Sequence, residues 1–109
     1  MGFHDAAAAR RFSAEKMQKS WLFETPQMFC DVYCLLPGQA QKAHTHAAND
    51  KVYHVLDGVC DVQIGDETRK LEAGELAVAP AGVVHGVKNN SGSPASLLVI
   101  MAPHPNFNG

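Results

Sequence analysis

Two stretches of the sequence decide the fold: GQAQKAHTHAANDKVYHVLDG, residues 38–58, and GELAVAPAGVVHGVKN, residues 74–89. Each stretch begins with a glycine, and glycine and proline recur within them at positions that favour turns. Between these turns lie short apolar or alternating runs, which are typical of β-strands. Both stretches therefore predict short strands joined by tight turns.

The same pattern continues on both sides of these stretches. From Met28 to Leu36 the apolar residues at even positions recur with the period of two that is expected for one face of a sheet. Between them lie Phe29, Asp31, Tyr33 and Leu35. Glycine or proline separates the short runs, and no alternation of strands with helices is visible. The predicted class is therefore all-β, a sandwich or barrel, with strands at residues 28–36, 51–56, 60–64, 68–71, 76–79, 83–88 and 97–101.

The length of 109 residues indicates one domain. The first twenty residues lack a clear apolar period, although Asp5 could cap a short helix through the alanines to Arg11. We therefore predict an N-terminal arm or short helix over residues 1–20 and a barrel over residues 21–109.

Composition argues against several classes of partner. Nine Lys and Arg residues against eleven Asp and Glu give a net charge of -2, so no basic face for nucleic acid is expected. No apolar run approaches the ~20 residues that span a bilayer, and the N-terminus lacks the features of a secretory signal. A cytoplasmic protein is expected, with Cys30, Cys34 and Cys60 as buried thiols.

Three of the six histidines are placed to converge. His44 and His46 are two residues apart, so on an extended strand their rings point to the same face, and His85 lies in a second strand. Neutral imidazoles from separate segments are ligands for divalent Fe, Zn, Ni or Mn. The pair alone is also typical of a polar strand end, so the interpretation depends on its surroundings.

Those surroundings resemble the two motifs of the cupin superfamily. Nine of ten fixed motif positions are present at the family's spacing: Gly38, His44, His46, Gly58, Gly74, Pro80, Gly82, His85 and Asn89. The resemblance implies an antiparallel double-stranded β-helix, or jelly-roll barrel, with a metal ion held inside by His44, His46 and His85. Residues 29–105 resemble small single-domain bacterial cupins, many of which are homodimers, and the apolar residues 21–23 could contact a second subunit.

Lys51 is the departure from the family pattern, which usually has a glutamate there as a fourth metal ligand. A positive charge about 5 Å from a divalent ion is repelled by roughly 7 kcal/mol at an effective dielectric constant of about 20. Lys51 could extend to solvent, be neutral, pair with an anionic ligand, or mark a site without metal. We favour a small carboxylate or enolate that Lys51 orients, with an exposed, uninvolved Lys51 as the alternative.

Two neighbours of Lys51 are also candidates. Tyr53 shares the face of Lys51, so Lys51 and Tyr53 are the candidate catalytic residues, although packing in the core would equally explain Tyr53. Asp50 should point away from the site, but a β-bulge could exchange it with Lys51 and supply a fourth ligand.

Three functions follow from these features. A three-histidine site leaves coordination positions open, which suits a metalloenzyme. By resemblance it would be an oxygenase or an isomerase acting on a small, anionic molecule. The alternatives are a non-catalytic small-molecule-binding or sensor module, and a subunit whose metal is only structural.

Overall fold

The computed structural model describes residues 2–105, and within them the chain forms nine β-strands and one short 3-10 helix. The 3-10 helix spans Ala7–Ala9. The strands, numbered in chain order, are β1 (Gln18–Thr25), β2 (Met28–Leu35), β3 (Ala40–His44), β4 (Asp50–Asp57), β5 (Val59–Ile64), β6 (Glu67–Glu72), β7 (Leu76–Ala79), β8 (His85–Lys88) and β9 (Ala95–Ala102). The predicted arm and barrel also include residues 1 and 106–109, which lie outside the described residues. No helix of the described part is long and apolar enough to cross a membrane.

The strands form two antiparallel sheets. The larger sheet has the order β1-β2-β9-β4-β7, and the smaller sheet has the order β3-β8-β5-β6. Neighbours in a sheet, such as β2 and β9 or β3 and β8, are far apart in the sequence, because the chain winds back and forth between the two sheets. This is the double-stranded β-helix, or jelly roll, and the predicted all-β class is confirmed.

The core lies between the inward faces of the two sheets. On the larger sheet, Tyr33, Leu97 and Val55 are register partners across β2, β9 and β4. Because side chains alternate along a strand, every second residue of these strands faces inward. The smaller sheet contributes Cys60, Val62, Leu71 and Val87 to the same buried cluster.

The N-terminal arm lies on the outer face of the larger sheet. The backbone N–H of Arg11 donates to Sγ of Cys34 over 3.3 Å, and the ring of His4 stacks on that of Phe23 at 5.4 Å between centroids. The predicted helix is limited to Ala7–Ala9. All three cysteines are free and buried, as expected.

Two strands, β1 and β3, lie outside the predicted strand positions. The first begins at Gln18, three residues before residue 21, the predicted start of the barrel. The strand β3 was not predicted, because its residues are mostly exposed and polar and show no apolar alternation. β3 nevertheless pairs with β8, and this pairing positions the site described below.

Gly58 occupies the tightest of the turns. Its φ of 76° is in the left-handed region, and a Cβ atom there would lie 2.5 Å from the carbonyl oxygen of Pro94 and 3.0 Å from Cα of Ala95. Both obstacles belong to the backbone and cannot rotate away. Gly38 has a similar φ of 87°, but a Cβ atom there would meet nothing within 4 Å.

We expect Gly58→Ala to lower the free energy of unfolding by about 2 kcal/mol more than Gly38→Ala does. Both variants place alanine at positive φ, so their difference isolates the steric conflict with Pro94 and Ala95. Urea unfolding of the two variants measures it, and equal losses of stability would contradict the described turn.

Candidate metal centre

His44, His46 and His85 converge on one point between the two sheets. One ring nitrogen of each lies within 4.8 Å of those of the other two, and the ring centroids are 4.3 to 5.3 Å apart. His44 ends β3 and is the register partner of His85, the first residue of β8. The predicted grouping of these residues therefore agrees with the geometry.

His46 reaches the cluster differently from the prediction. β3 ends at His44, so His46 lies in the following loop rather than on the same strand. Its carbonyl oxygen accepts the backbone N–H of Gly82 over 2.8 Å, which ties this loop to the turn preceding β8. The register of β3 also shifts between Gln41 and His44, so strand alternation alone does not describe this segment.

Backbone carbonyls orient two of the rings. Nδ1 of His44 donates to the carbonyl oxygen of Lys42 at 2.7 Å, and Nδ1 of His85 donates to that of Val83 at 2.9 Å. These bonds fix the tautomer in which Nε2 carries the lone pair, which is the usual arrangement in a metal-ligating histidine.

The chemistry of these nitrogens fits a divalent cation. Nε2 of His85 is buried and has no hydrogen-bond partner within the described residues, although an unsatisfied buried polar atom costs about 1–3 kcal/mol. Burial lowers the pKa of His85, and burial followed by the charge of Lys51 lowers the pKa of His46. Both shifts favour the neutral imidazole that binds a metal.

Lys51 points into this site and is only 1% exposed. Its Nζ lies 3.2 Å from Oε1 of Gln41 and 3.5 Å from Nε2 of His44. The alternative of an exposed Lys51 is therefore wrong, whereas the role of Lys51 in ligand binding stays a prediction. Asp50 points outward, is exposed and accepts the backbone N–H of Ala81 over 2.9 Å, so the exchange by a β-bulge does not occur and Asp50 is not part of the cluster.

The surroundings of Lys51 disfavour its charge. Burial, together with the positive charge of Lys19, lowers the pKa of Lys51 to about 8, while Asp31 acts in the opposite direction. The faces of Tyr33 and Tyr53 lie 5.3 and 5.2 Å from Nζ and stabilise the ammonium in part.

Gln41 connects these groups, and it was not among the residues predicted from the sequence. Its Oε1 accepts from Lys51 and from the hydroxyl of Tyr53, each over 3.2 Å, while its Nε2 donates to the hydroxyl of Tyr33 over 3.2 Å. Tyr53 is fully buried, and burial, followed by Tyr33, raises its pKa, so its hydroxyl remains protonated. The sole sequence signal for Gln41 was its position three residues before His44.

A cavity of about 470 Å³ opens onto the cluster. Phe29, Met101 and Pro105 form its apolar wall, and the exposed Lys19 and Lys42 lie at its mouth. Its remaining lining residues are Asp31, Tyr33, Gln41, Ala43, His44, His46 and Lys51.

A larger cavity, of about 570 Å³, lies elsewhere, between β6 and β7. Its floor is apolar and its rim carries Glu67, Arg69, Lys70 and Glu75, but it is lined by no histidine or cysteine. The chemistry of the described residues therefore favours the smaller cavity as the functional site.

Replacing Lys51 by Met is expected to stabilise the metal-free protein at pH 7 by about 1–3 kcal/mol, because Met fills a similar volume without a charge. The pKa of Lys51 in the folded protein, about 8, is below its ordinary value of 10.5. Below pH 8 the unmodified protein therefore carries the full free-energy cost of burying the charged ammonium, and this cost disappears as the pH rises to 10.5. The difference in free energy of unfolding between the two proteins should shrink over that interval. Urea unfolding across this pH range measures the effect, with exposed Lys16→Met as the control. A destabilised Lys51→Met protein would contradict the described burial.

Known proteins resemble this chain over most of its length. The family model described as "Cupin domain" matches residues 31–101. The crystal structure of TT1209 from Thermus thermophilus is 48% identical, with a TM-score of 0.93, over 96% of this chain and 100% of that one. An uncharacterized protein of Aquifex aeolicus is 31% identical over 86% of this chain and 75% of its own length.

A plant relative shares the central part of the chain. Germin-like protein subfamily 2 member 2 of Arabidopsis thaliana is 40% identical over 67 residues, which are 57% of this chain and 31% of that protein. The aligned part thus spans about a third of this relative. The family match covers the motifs, the strands between them and all three histidines, and the chain belongs to the cupin family.

Proposed function

We propose that this cupin binds one divalent metal ion through His44, His46 and His85 and is a metal-dependent enzyme, an oxygenase or isomerase, acting on a small anionic substrate. The observation that carries the proposal is the convergence of three imidazole nitrogens within 4.8 Å, one of them buried without a partner among the described residues. Fe, Zn, Ni and Mn are all compatible with this donor set.

Three protein ligands leave coordination positions open for substrate. When bound, the metal supplies Lewis acidity or a platform for O₂. The protein's own contribution is to orient the substrate: Lys51 donates to an anionic oxygen, and Gln41 holds Lys51 in place. Tyr53 acts as a positioning residue, because its hydroxyl donates to the same oxygen of Gln41.

The charges of the site support an anionic substrate. Three neutral imidazoles leave the charge of a dication uncompensated, and Lys51 adds a further positive charge beside His44. A carboxylate or enolate between the metal and Lys51 would offset the repulsion, which is several kcal/mol at close range.

One observation favours the alternative, a non-catalytic small-molecule-binding or sensor module. Nζ of Lys51 lies 3.5 Å from Nε2 of His44, so the ammonium competes with a metal ion for this site. In that function the pocket binds an anion through Lys51 alone, and metal content distinguishes the two functions.

Metal analysis is the first test of the proposal. We expect the purified, reconstituted protein to contain one divalent ion per chain by inductively coupled plasma mass spectrometry. His85→Ala should lower metal affinity at least about tenfold, whereas His54→Ala, on the outer face of β4, should leave it unchanged. Lys51→Glu, which restores the family's fourth ligand, should raise it.

Failure of these expectations has a clear meaning. A reconstituted protein without metal, or a His85→Ala variant with unchanged affinity, would contradict the metal centre and leave the binding module as the function.

We further propose a homodimer in the cytoplasm, with no nucleic-acid or membrane partner. Trp21 on β1 is 64% exposed, and Leu76 and Val78 on β7 are more than half exposed. These strands are the two edges of the larger sheet, so a second subunit at either edge would cover apolar surface. Size-exclusion chromatography with light scattering should report twice the mass of one chain. A monomer at all accessible concentrations would contradict the dimer.

A further inference from the structure

We propose that Asp31 is a second ligand-binding residue of the pocket and selects small carboxylates that also carry a hydrogen-bond donor, as 2-hydroxy and 2-amino acids do. The inference rests on the proposed function in one respect, that Lys51 binds the carboxylate. The inference concerns the hydrogen-bond donor of the ligand, which Lys51 does not bind.

Asp31 lies on the inner face of β2. Its neighbour across the strands is Val99 on β9, which is in turn the partner of Tyr53 on β4. Asp31 is half-buried and lines the same cavity as Lys51, His44 and His46. The carboxylate therefore belongs to the wall of the functional pocket rather than to the outer surface.

Its carboxylate has no hydrogen-bond or ion-pair partner among the residues that the structure describes. Within residues 2–105, no side-chain or backbone donor bonds to it, and no ammonium or guanidinium nitrogen comes within 4.0 Å. The charged groups that act on it are Lys19 and Glu24 from β1 and Lys51 from β4. Burial raises the pKa of Asp31, while Lys19 and Lys51 oppose the rise, so the charges act across the cavity without contact.

Lys51 presents the complementary donor. An ammonium has three hydrogens, and only the bond to Gln41 is short, at 3.2 Å, since the contact with His44 at 3.5 Å is long for a hydrogen bond. At least one hydrogen remains for a ligand. Among the described residues, the pocket thus contains an acceptor on Asp31 and a donor on Lys51 that contact each other nowhere within 4.0 Å.

A ligand that donates to Asp31 and accepts from Lys51 satisfies both groups. A plain carboxylate satisfies Lys51 alone and leaves the carboxylate of Asp31 without a donor, whereas the charge that it brings is the same for both kinds of ligand. If Asp31 served only as a counter-charge for Lys51, the donor group of the ligand would make no difference to binding. Asp31 as a ligand-binding acceptor therefore predicts tighter binding of hydroxy acids, whereas Asp31 as a counter-charge predicts equal binding of both kinds of acid.

Ligand-observed NMR titrations with matched probes test this. Lactate is compared with propanoate and 2-hydroxybutanoate with butanoate, on the protein as purified and after metal removal with EDTA, which eliminates chelation by the hydroxyl group. We expect the hydroxy acid of each pair to bind at least about tenfold more tightly to the metal-free protein. Asp31→Asn should bring the pair within about twofold and leave propanoate binding unchanged or stronger.

Controls separate this inference from the proposed function. Asp66→Asn, in an exposed turn, removes the same charge outside the pocket and should preserve the difference between the probes. Lys51→Met should weaken both members of each pair equally. If Lys51→Met binds both acids as tightly as the unmodified protein does, the anionic-substrate part of the proposed function fails. The preference of the unmodified protein for the hydroxy acid still tests the role of Asp31 alone.

The inference is overturned if the members of each pair bind equally to the metal-free protein, or if no probe binds at any soluble concentration. It is also overturned if a folded Asp31→Asn protein, checked by circular dichroism, retains the full difference or loses affinity for both members alike. Should Asp31→Asn not fold, Asp31→Ser replaces it, and the comparison of probes on the unmodified protein decides independently.

Discussion

The pairing of His44 with His85 across β3 and β8 is the contact on which the centre depends. It brings two rings to 4.3 Å and joins the two sequence stretches that carry the histidines. Backbone bonds fasten the same stretches at both ends, from Gly82 to the carbonyl of His46 and from Gly38 to that of Asn89. Hydrogen bonds therefore join the two motifs on both sides of the paired histidines.

A buried cation beside this unit sets the electrostatics of the pocket. Lys51 is stabilised by the amide oxygen of Gln41 and by the faces of Tyr33 and Tyr53, none of which carries a full negative charge. Asp31 acts on it only across the cavity. Such partial compensation stabilises an ammonium less than a contacting carboxylate would. The described residues thus compensate the positive charge of Lys51 only in part.

The sequence predicts those features of the structure that depend on residues close together in the chain. Turns at Gly38, Gly58 and Gly74 and the spacing of the histidines follow from short-range pattern, and they predict the fold and the cluster. Strand alternation likewise predicts that Lys51 and Asp50 point to opposite faces. These features require only the period of a strand and the conformational freedom of glycine.

Features that depend on the tertiary structure could not be predicted. β3 has no apolar alternation because its neighbours are a polar cavity and solvent, so no strand was predicted there. Gln41 and Asp31 look like ordinary polar strand residues until β2, β3 and β4 come together. The division between arm and barrel at residue 21 stays a prediction, although the first strand begins at Gln18.

The fold itself does not require an amine at residue 51. The inward neighbours on the same strand, Tyr53 and Val55, pack without charge, and an unbranched apolar side chain would fill the space of Lys51 with no loss from a lowered pKa. Places where a side chain opposes stability are expected at functional sites, where binding compensates for the loss. The same holds for the nitrogen of His85 and the carboxylate of Asp31, neither of which has a partner in the part of the chain that the structure describes. Because these three groups line or adjoin one cavity, the proposed occupied state, with a cation at the imidazoles, an acceptor at Lys51 and a donor at Asp31, would satisfy them together.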